Sequence, residues 1–370
     1  MPPSARRGTV VASMRVRALA LRLHLVVGVL TGAALLVLGL SGAVLVLRPE
    51  LDRALHAGDV SATSNTPPVS LEALVDAARR RHPDFRVTSL SLPGRGDGAA
   101  RVAMLDPTGA ELEVAVHPRS GQALGSLWVE RSPLLALRLL HAELYMGARG
   151  SIVVGAFGLW LLFQGLTGLY LWWPLMKRPR WGFTIRWSRP WTVVGYDLHK
   201  ALGAASLAFH LPIAATGALL GLAPLVLGMI HDEPTLSRAP ARSPLPLDAL
   251  AREAERALPG GRIMAFRFAS GGAVVVVTMR MPGELDARGA SVVILEASEG
   301  RVLSVRDARQ APWASRLWTA ARAVHVGEFG GTPTRALYAL GGLASVGLAL
   351  SGYVLALARP RAGTRAATRS

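Results

Sequence analysis

No cysteine occurs anywhere in the 370 residues. That excludes disulfides, cysteine-ligated iron–sulfur clusters, covalent c-type haem, which needs Cys-x-x-Cys-His, and any cysteine nucleophile. Metal ligands, if there are any, must come from His, Met, carboxylate or Tyr. Acid is also scarce, with 24 Asp and Glu against 41 Lys and Arg and a formal charge of +17. Three segments carry bases and no acid at all. These are the N-terminal tail (Arg6, Arg7, Arg15, Arg17, Arg22), the stretch with Lys177, Arg178, Arg180, Arg186 and Arg189, and the C-terminal tail (Arg359, Arg361, Arg365, Arg369). The bases flank apolar runs and form no nucleic-acid motif, so no nucleic-acid partner is expected. A GxGxxG turn after a strand is missing too, and the short basic segments leave no room for a flavin or dinucleotide domain.

What is abundant is apolar sequence, at 51% of residues. Four stretches exceed the roughly 20 residues that cross a bilayer core. They divide the chain into a tail (1–23), a first span (24–47), a loop (48–147), a second span (148–173), a basic loop (174–192), a third span (193–230), a second long loop (231–333), a fourth span (334–357) and a tail (358–370). The first is too long for a signal-peptide core and no small-residue cleavage site follows it, so it reads as a retained anchor. The three acid-free segments predict a bacterial inner-membrane protein with both termini cytoplasmic and both long loops periplasmic. Trp172, Trp173, Trp181, Trp187 and Trp191 flank the basic loop as an interfacial belt, in contact with membrane lipid.

The second half repeats the first. Leu23-His24-Leu25-Val26-Val27-Gly28 matches Leu198-His199-Lys200-Ala201-Leu202-Gly203, and at the same offset Ser41-Gly42 matches Thr216-Gly217. Leu140-His141, Tyr145 and Gly147 match Val324-His325, Phe329 and Gly331; Leu166-Thr167-Gly168 matches Leu350-Ser351-Gly352. In each long loop an amphipathic helix pattern precedes strand-like runs. The expected fold is therefore a membrane α-helical protein of four transmembrane helices as two parallel repeats, with two small α+β periplasmic domains. Parallel repeats place equivalent residues at one membrane depth.

Four of the nine histidines obey the repeat, His24 with His199 and His141 with His325. One pair opens the first and third spans at the cytoplasmic end; the other lies just before the second and fourth spans at the periplasmic end. A lone interfacial histidine is more often a snorkelling polar group than a ligand. Two pairs at matched depth in a cysteine-free chain favour two b-type haems, each iron between two imidazoles. Small residues nearby, Gly28, Gly203, Gly147 and Gly331, would let a flat macrocycle approach the backbone. His210, three helical turns after His199, is a further cofactor-binding candidate, as an alternative ligand or a polar relay. The bland reading is a helix-interface histidine bonded to Ser or Thr. His56, His82, His117 and His231 read as loop residues.

These motifs, together with Asp197-Leu198-His199-Lys200-Ala201-Leu202-Gly203, Leu140-His141-Ala142-Glu143-Leu144 and His325-Val326-Gly327-Glu328-Phe329-Gly330-Gly331, resemble the PepSY-associated transmembrane family, the iron-regulated membrane proteins. Within it the resemblance is greatest to dihaem ferric-siderophore reductases, from about residue 15 to 358. It implies four spans, two haems, PepSY-like periplasmic domains and reduction of iron chelates in the periplasm.

The leading expectation is thus an inner-membrane oxidoreductase of the ferric-chelate (siderophore) reductase type, passing electrons across the membrane to a ferric siderophore or other iron chelate and aiding iron release. Its donor is a cytoplasmic reductase or membrane quinol. Arg131, Arg138, Arg316 and Arg322 are candidate contacts for an anionic chelate, although solvated surface is the commoner role for such residues. The alternative is a non-redox PepSY membrane protein that binds or regulates a periplasmic peptidase. A transporter is a third reading, for which four spans are few.

Overall fold

The computed structural model describes residues 3–55, 67–93, 98–227 and 245–358. In chain order, α1 (Pro3–Leu45) and α2 (Arg48–Leu55) lead to α3 (Leu71–Arg81) and four strands, β1 (Arg86–Ser91), β2 (Ala100–Leu105), β3 (Glu111–Val116) and β4 (Ala123–Trp128). Then come α4 (Pro133–Glu143) and α5 (Gly147–Trp172). The second half gives α6 (Pro179–Phe183), α7 (Trp191–Gly221), α8 (Ala223–Leu227), α9 (Leu247–Ala257), β5 (Arg262–Ala269), β6 (Val274–Arg280), β7 (Ser291–Glu296), β8 (Val302–Arg306), α10 (Trp313–Val326) and α11 (Gly331–Leu357). One helix, four strands, one helix and one long apolar helix thus occur twice in the same order.

The chain forms two compact units, 1–46 with 140–226 and 332–370, and 47–139 with 227–331. The first holds four helices long and apolar enough to cross a membrane, Met14–Leu45, Gly147–Met176, Trp191–Gly221 and Gly331–Leu357. Their bounds differ from the sequence reading. Helix α1 begins well inside the expected tail, because residues 3–23 contain Ala, Arg and Leu and no proline after Pro3 to stop a helix. Helix α7 starts at Trp191, behind Pro190, and ends at Gly221 rather than near 230, with Pro224 in the next short helix.

Small residues let these helices touch. A Cβ on Gly158 would lie 2.7 Å from the Ala218 backbone and 3.1 Å from the Ala214 carbonyl. A Cβ on Gly342 would lie 2.7 Å from the Gly39 carbonyl and 2.9 Å from the Ala43 Cβ. Helix α5 therefore meets α7 as α11 meets α1, through backbone approach at small residues.

The second unit corrects the expectation of two separate α+β domains. All eight strands form one antiparallel sheet in the order β4-β3-β2-β1-β5-β6-β7-β8. The seam is β1 against β5, with Ser89 opposite Arg267, Leu90 opposite Phe266 and Ser91 opposite Ala265. Leu90 and Phe266 are wholly buried, and each contributes about 1.5–3 kcal/mol by leaving water. Either half sheet alone would leave β1 or β5 as an exposed edge with unpaired N–H and C=O groups; joining satisfies both. Helices α3 and α9 add Leu74, Val75, Leu250 and Ala254 to one continuous core, their apolar residues recurring at helical spacing. Strand β8, at the far edge, is exposed along its length.

Candidate functional site

Three of the repeat-related histidines meet a hydroxyl in the helical unit. His24 Nδ1 lies 2.9 Å from Thr167 Oγ1, His199 Nδ1 2.9 Å from Ser351 Oγ, and His141 Nδ1 2.9 Å from Ser41 Oγ. Each hydroxyl donates its one proton to the carbonyl four residues back. Thr167 gives it to Phe163 (2.9 Å), Ser351 to Gly347 (2.7 Å) and Ser41 to Val37 (2.7 Å). The oxygen can then only accept from the ring, so Nδ1 carries the imidazole proton. Each ring also has a backbone hydrogen-bond partner three residues before its hydroxyl, at Gln164, Leu348 and Leu38. The tautomer that results keeps its lone pair on Nε2, the arrangement of a metal-ligating histidine oriented by an acceptor behind it.

The residue after each hydroxyl is glycine. A Cβ on Gly168 would stand 3.3 Å from His24 Cε1, one on Gly352 3.6 Å from His199 Cε1 and one on Gly42 3.1 Å from His141 Cε1. Glycine thus lets the imidazole lie against the neighbouring helix. Thr216, the sequence counterpart of Ser41, makes the same bond to its own helix, 2.7 Å to the Pro212 carbonyl.

The rings of His24 and His199 meet in an edge arrangement, with centroids 6.3 Å apart and planes 84° apart. Two imidazoles on opposite sides of one metal, each bonded at ~2 Å, bring their centroids to about 6 Å. The donor set, the tautomer and the spacing fit a bis-histidine haem. Among the described residues no group of three or more His, Cys, Asp or Glu is placed to hold a bare metal ion. Gln164 braces the same layer, its Nε2 donating to the His24 carbonyl at 3.0 Å.

His210 is buried and bonded to Ser345, Nε2 to Oγ 2.7 Å. That is the helix-interface arrangement weighed against a cofactor role in the sequence. Its ring also packs edge-on against Phe209, which packs against Tyr338, at centroid distances of 5.3 and 5.2 Å.

His141 ends α4 just before an unusual turn. Leu144 and Tyr145 both have positive φ, 47° and 57°, which costs a non-glycine residue about 1–2 kcal/mol. Gly150 lies so close to the α4 terminus that an added Cβ would overlap the Glu143 carbonyl. Ser151 donates to the Ala142 carbonyl at 3.1 Å. His325 lies near the end of α10, two residues before Gly327, whose left-handed conformation (φ 73°) terminates the helix. It belongs to the sheet-containing unit.

Of the arginines considered for anion contact, Arg322 is committed. It pairs with Asp286, which is 1% exposed, and its own burial lowers its pKa. Arg131 and Arg316 are exposed. His82 Nε2 meets Ser126 Oγ at 2.8 Å, which ties the end of α3 to β4, and His117 Nδ1 accepts the N–H groups of Arg119 and Ser120 in its own turn. His56 and His231 lie outside the described residues.

Sequence reasoning missed the hydroxyls. Ser/Thr-Gly at residues 41, 167, 216 and 351 was visible as part of the repeat and received no role. It also missed Asp197, which is buried two residues before His199 and takes Arg186 (Nε 2.8 Å) and Lys200 (Nζ 3.1 Å). Lys200 further donates to the Trp181 carbonyl at 2.7 Å, tying α6 to α7. Around this knot Trp181, Trp187 and Trp191 remain more than 60% exposed, which in a four-span protein suits a lipid interface.

Fold and site define a multi-pass membrane protein whose apolar helices present paired histidines and whose loops build a single β-sheet unit. The chain matches the PepSY-associated TM region family over residues 21–359 and belongs to it. No curated protein matches the chain.

Proposed function

We propose that this protein is a bacterial inner-membrane b-type haem protein that passes electrons across the bilayer to reduce a ferric siderophore or other iron chelate. The observation that carries the reading is the recurring imidazole–hydroxyl bond at Nδ1 of His24, His199 and His141, which in His24 and His199 turns the Nε2 lone pair into the available donor for iron. His24 and His199 would hold one haem; His141 and His325 pair on sequence correspondence as ligands of a second. Haem supplies one-electron Fe(II)/Fe(III) chemistry in a chain without cysteine. The protein's own residues bind, orient and insulate: Thr167, Ser351 and Ser41 hold the proton at Nδ1, and the glycines beside them admit the rings.

On this reading the halves are parallel repeats, the acid-free segments are cytoplasmic and the sheet unit is periplasmic, where it meets the chelate. The reaction is transfer of one electron to chelated Fe(III), giving Fe(II), which hard oxygen chelators hold less tightly. The electron comes from a cytoplasmic reductase or membrane quinol.

The test is a pyridine haemochrome assay and a reduced-minus-oxidised spectrum of the purified protein, followed by anaerobic addition of a ferric siderophore to the reduced form. Two haems per chain, reoxidised in proportion to Fe(II) trapped by a ferrous chelator, would support the proposal. Haem that stays reduced with every ferric chelate, yet passes electrons to another acceptor, would reject chelate reduction. A chain without haem would reject the redox reading and leave the PepSY regulator.

A further inference from the structure

Resting on the reading of His325 as a haem ligand, we propose that Asp286 and Glu328 are positioning residues for it, clamping the end of α10 to the β6–β7 hairpin through Arg322 and Arg288. His325 lies three residues after Arg322 and three before Glu328, with the Gly327 break between. Arg322 pairs with Asp286, and Arg288 Nε lies 2.8 Å from Glu328 Oε2. One hairpin thus grips the chain on both sides of the histidine.

The hairpin is itself rigid. The Arg288 N–H donates to Asp286 Oδ1 (2.9 Å) and the Gly289 N–H to the Asp286 carbonyl (3.1 Å). Gly289 has φ 81°, and an added Cβ would strike the Met279 carbonyl at 2.5 Å, so the turn demands glycine. Glu284 accepts from the Ala290 N–H (2.9 Å) and from the Ser291 hydroxyl, and Ser291 Oγ accepts from the Ala308 N–H at 2.9 Å. These bonds tie the hairpin to the body of the sheet.

In the first half the β2–β3 turn is short and closed on Asp106, which accepts the N–H groups of Thr108 and Ala110, each at 2.8 Å. Gly150, Ser151 and Ser41 help to place His141. Burying Asp286 against Arg322 costs desolvation that a hydrophobic pair would avoid, and a buried ion pair is weak evidence for stability. Fixing one orientation of α10 gives the pair a use that stability does not.

The experiment uses purified full-length protein with its haem. Low-spin electron paramagnetic resonance signals and midpoint potentials are measured for wild type, Asp286→Asn, Glu328→Gln and the exchange Asp286→Arg with Arg322→Asp. The expected result is a shifted g-spread and potential for one haem in each single variant, no change in the other, and partial recovery in the exchange. Unchanged signals for both haems in Asp286→Asn and Glu328→Gln, with wild type holding two haems, would overturn the clamp and leave the haem reading standing. If Asp286→Asn fails to fold, Glu328→Gln and Arg288→Gln decide by the same criteria, since Arg288 is 57% exposed. A wild type without haem would overturn the haem reading, and the clamp with it.

Discussion

Glu72 and Asp248 each serve the other's helix. Glu72 Oε2 accepts the Leu247 N–H at the start of α9 (3.0 Å), and Asp248 Oδ1 accepts the Leu71 N–H at the start of α3 (3.1 Å). Free N–H groups at a helix start need acceptors and favour negative charge. Here each half of the chain supplies them to the other.

Glu72→Ala and Asp248→Ala are each expected to cost about 1 kcal/mol, the usual loss on removing a helix cap. Thermal unfolding followed by circular dichroism checks this. Equal losses are expected because the two bonds are near mirror images; a loss in one variant only would show that the exchange is not reciprocal in solution.

If His24 and His199 hold haem as proposed, removing the hydroxyl behind an imidazole should loosen the haem without emptying the site. Ser351→Ala or Thr167→Val is expected to weaken haem binding roughly 10- to 100-fold, the range for losing an outer-shell partner of a ligating histidine. Haem titration of the apoprotein measures it. Ser206→Ala, whose hydroxyl bonds only its own helix at Leu202, is the control and should bind as wild type.

Gly150→Ala should open the α4–α5 turn, since its Cβ has no room beside the Glu143 carbonyl. The cost is expected at about 1–3 kcal/mol or more, as for other overpacking. In spectra of the variant the signal assigned to His141 should change and that assigned to His24 and His199 should persist.

Both termini are expected on the cytoplasmic side. A reporter active only in the periplasm should be silent when fused after Ser370 and active when inserted near Ser64 or Arg242. Activity at the C-terminus would reverse the orientation drawn from the acid-free segments.

The spans and the meeting of His24 with His199 were legible because they rest on composition and repetition. Apolar length reports a span directly, and His24 and His199 recur in matching surroundings. The single sheet was not legible. Alternation in β1 and β5 shows which face of each strand is buried, not which strand lies beside it, and nothing local to Leu90 names Phe266 as its partner. The hydroxyls escaped for a related reason: Ser351 and Thr167 sit mid-helix, where such residues usually bond only their own backbone. That bond is present; it also turns the oxygen into an acceptor for a ring on another helix.

The β1–β5 seam has a consequence for how the molecule is made. Its two strands are separated in the chain by two whole spans and the basic loop between them, so the first half leaves the ribosome with an open edge that only the second half can close. The seam should then hold without the covalent link. Two fragments divided within the basic loop and expressed together are expected to find each other through this edge and co-purify. Inheritance of the two halves as separate genes would be physically workable for the same reason.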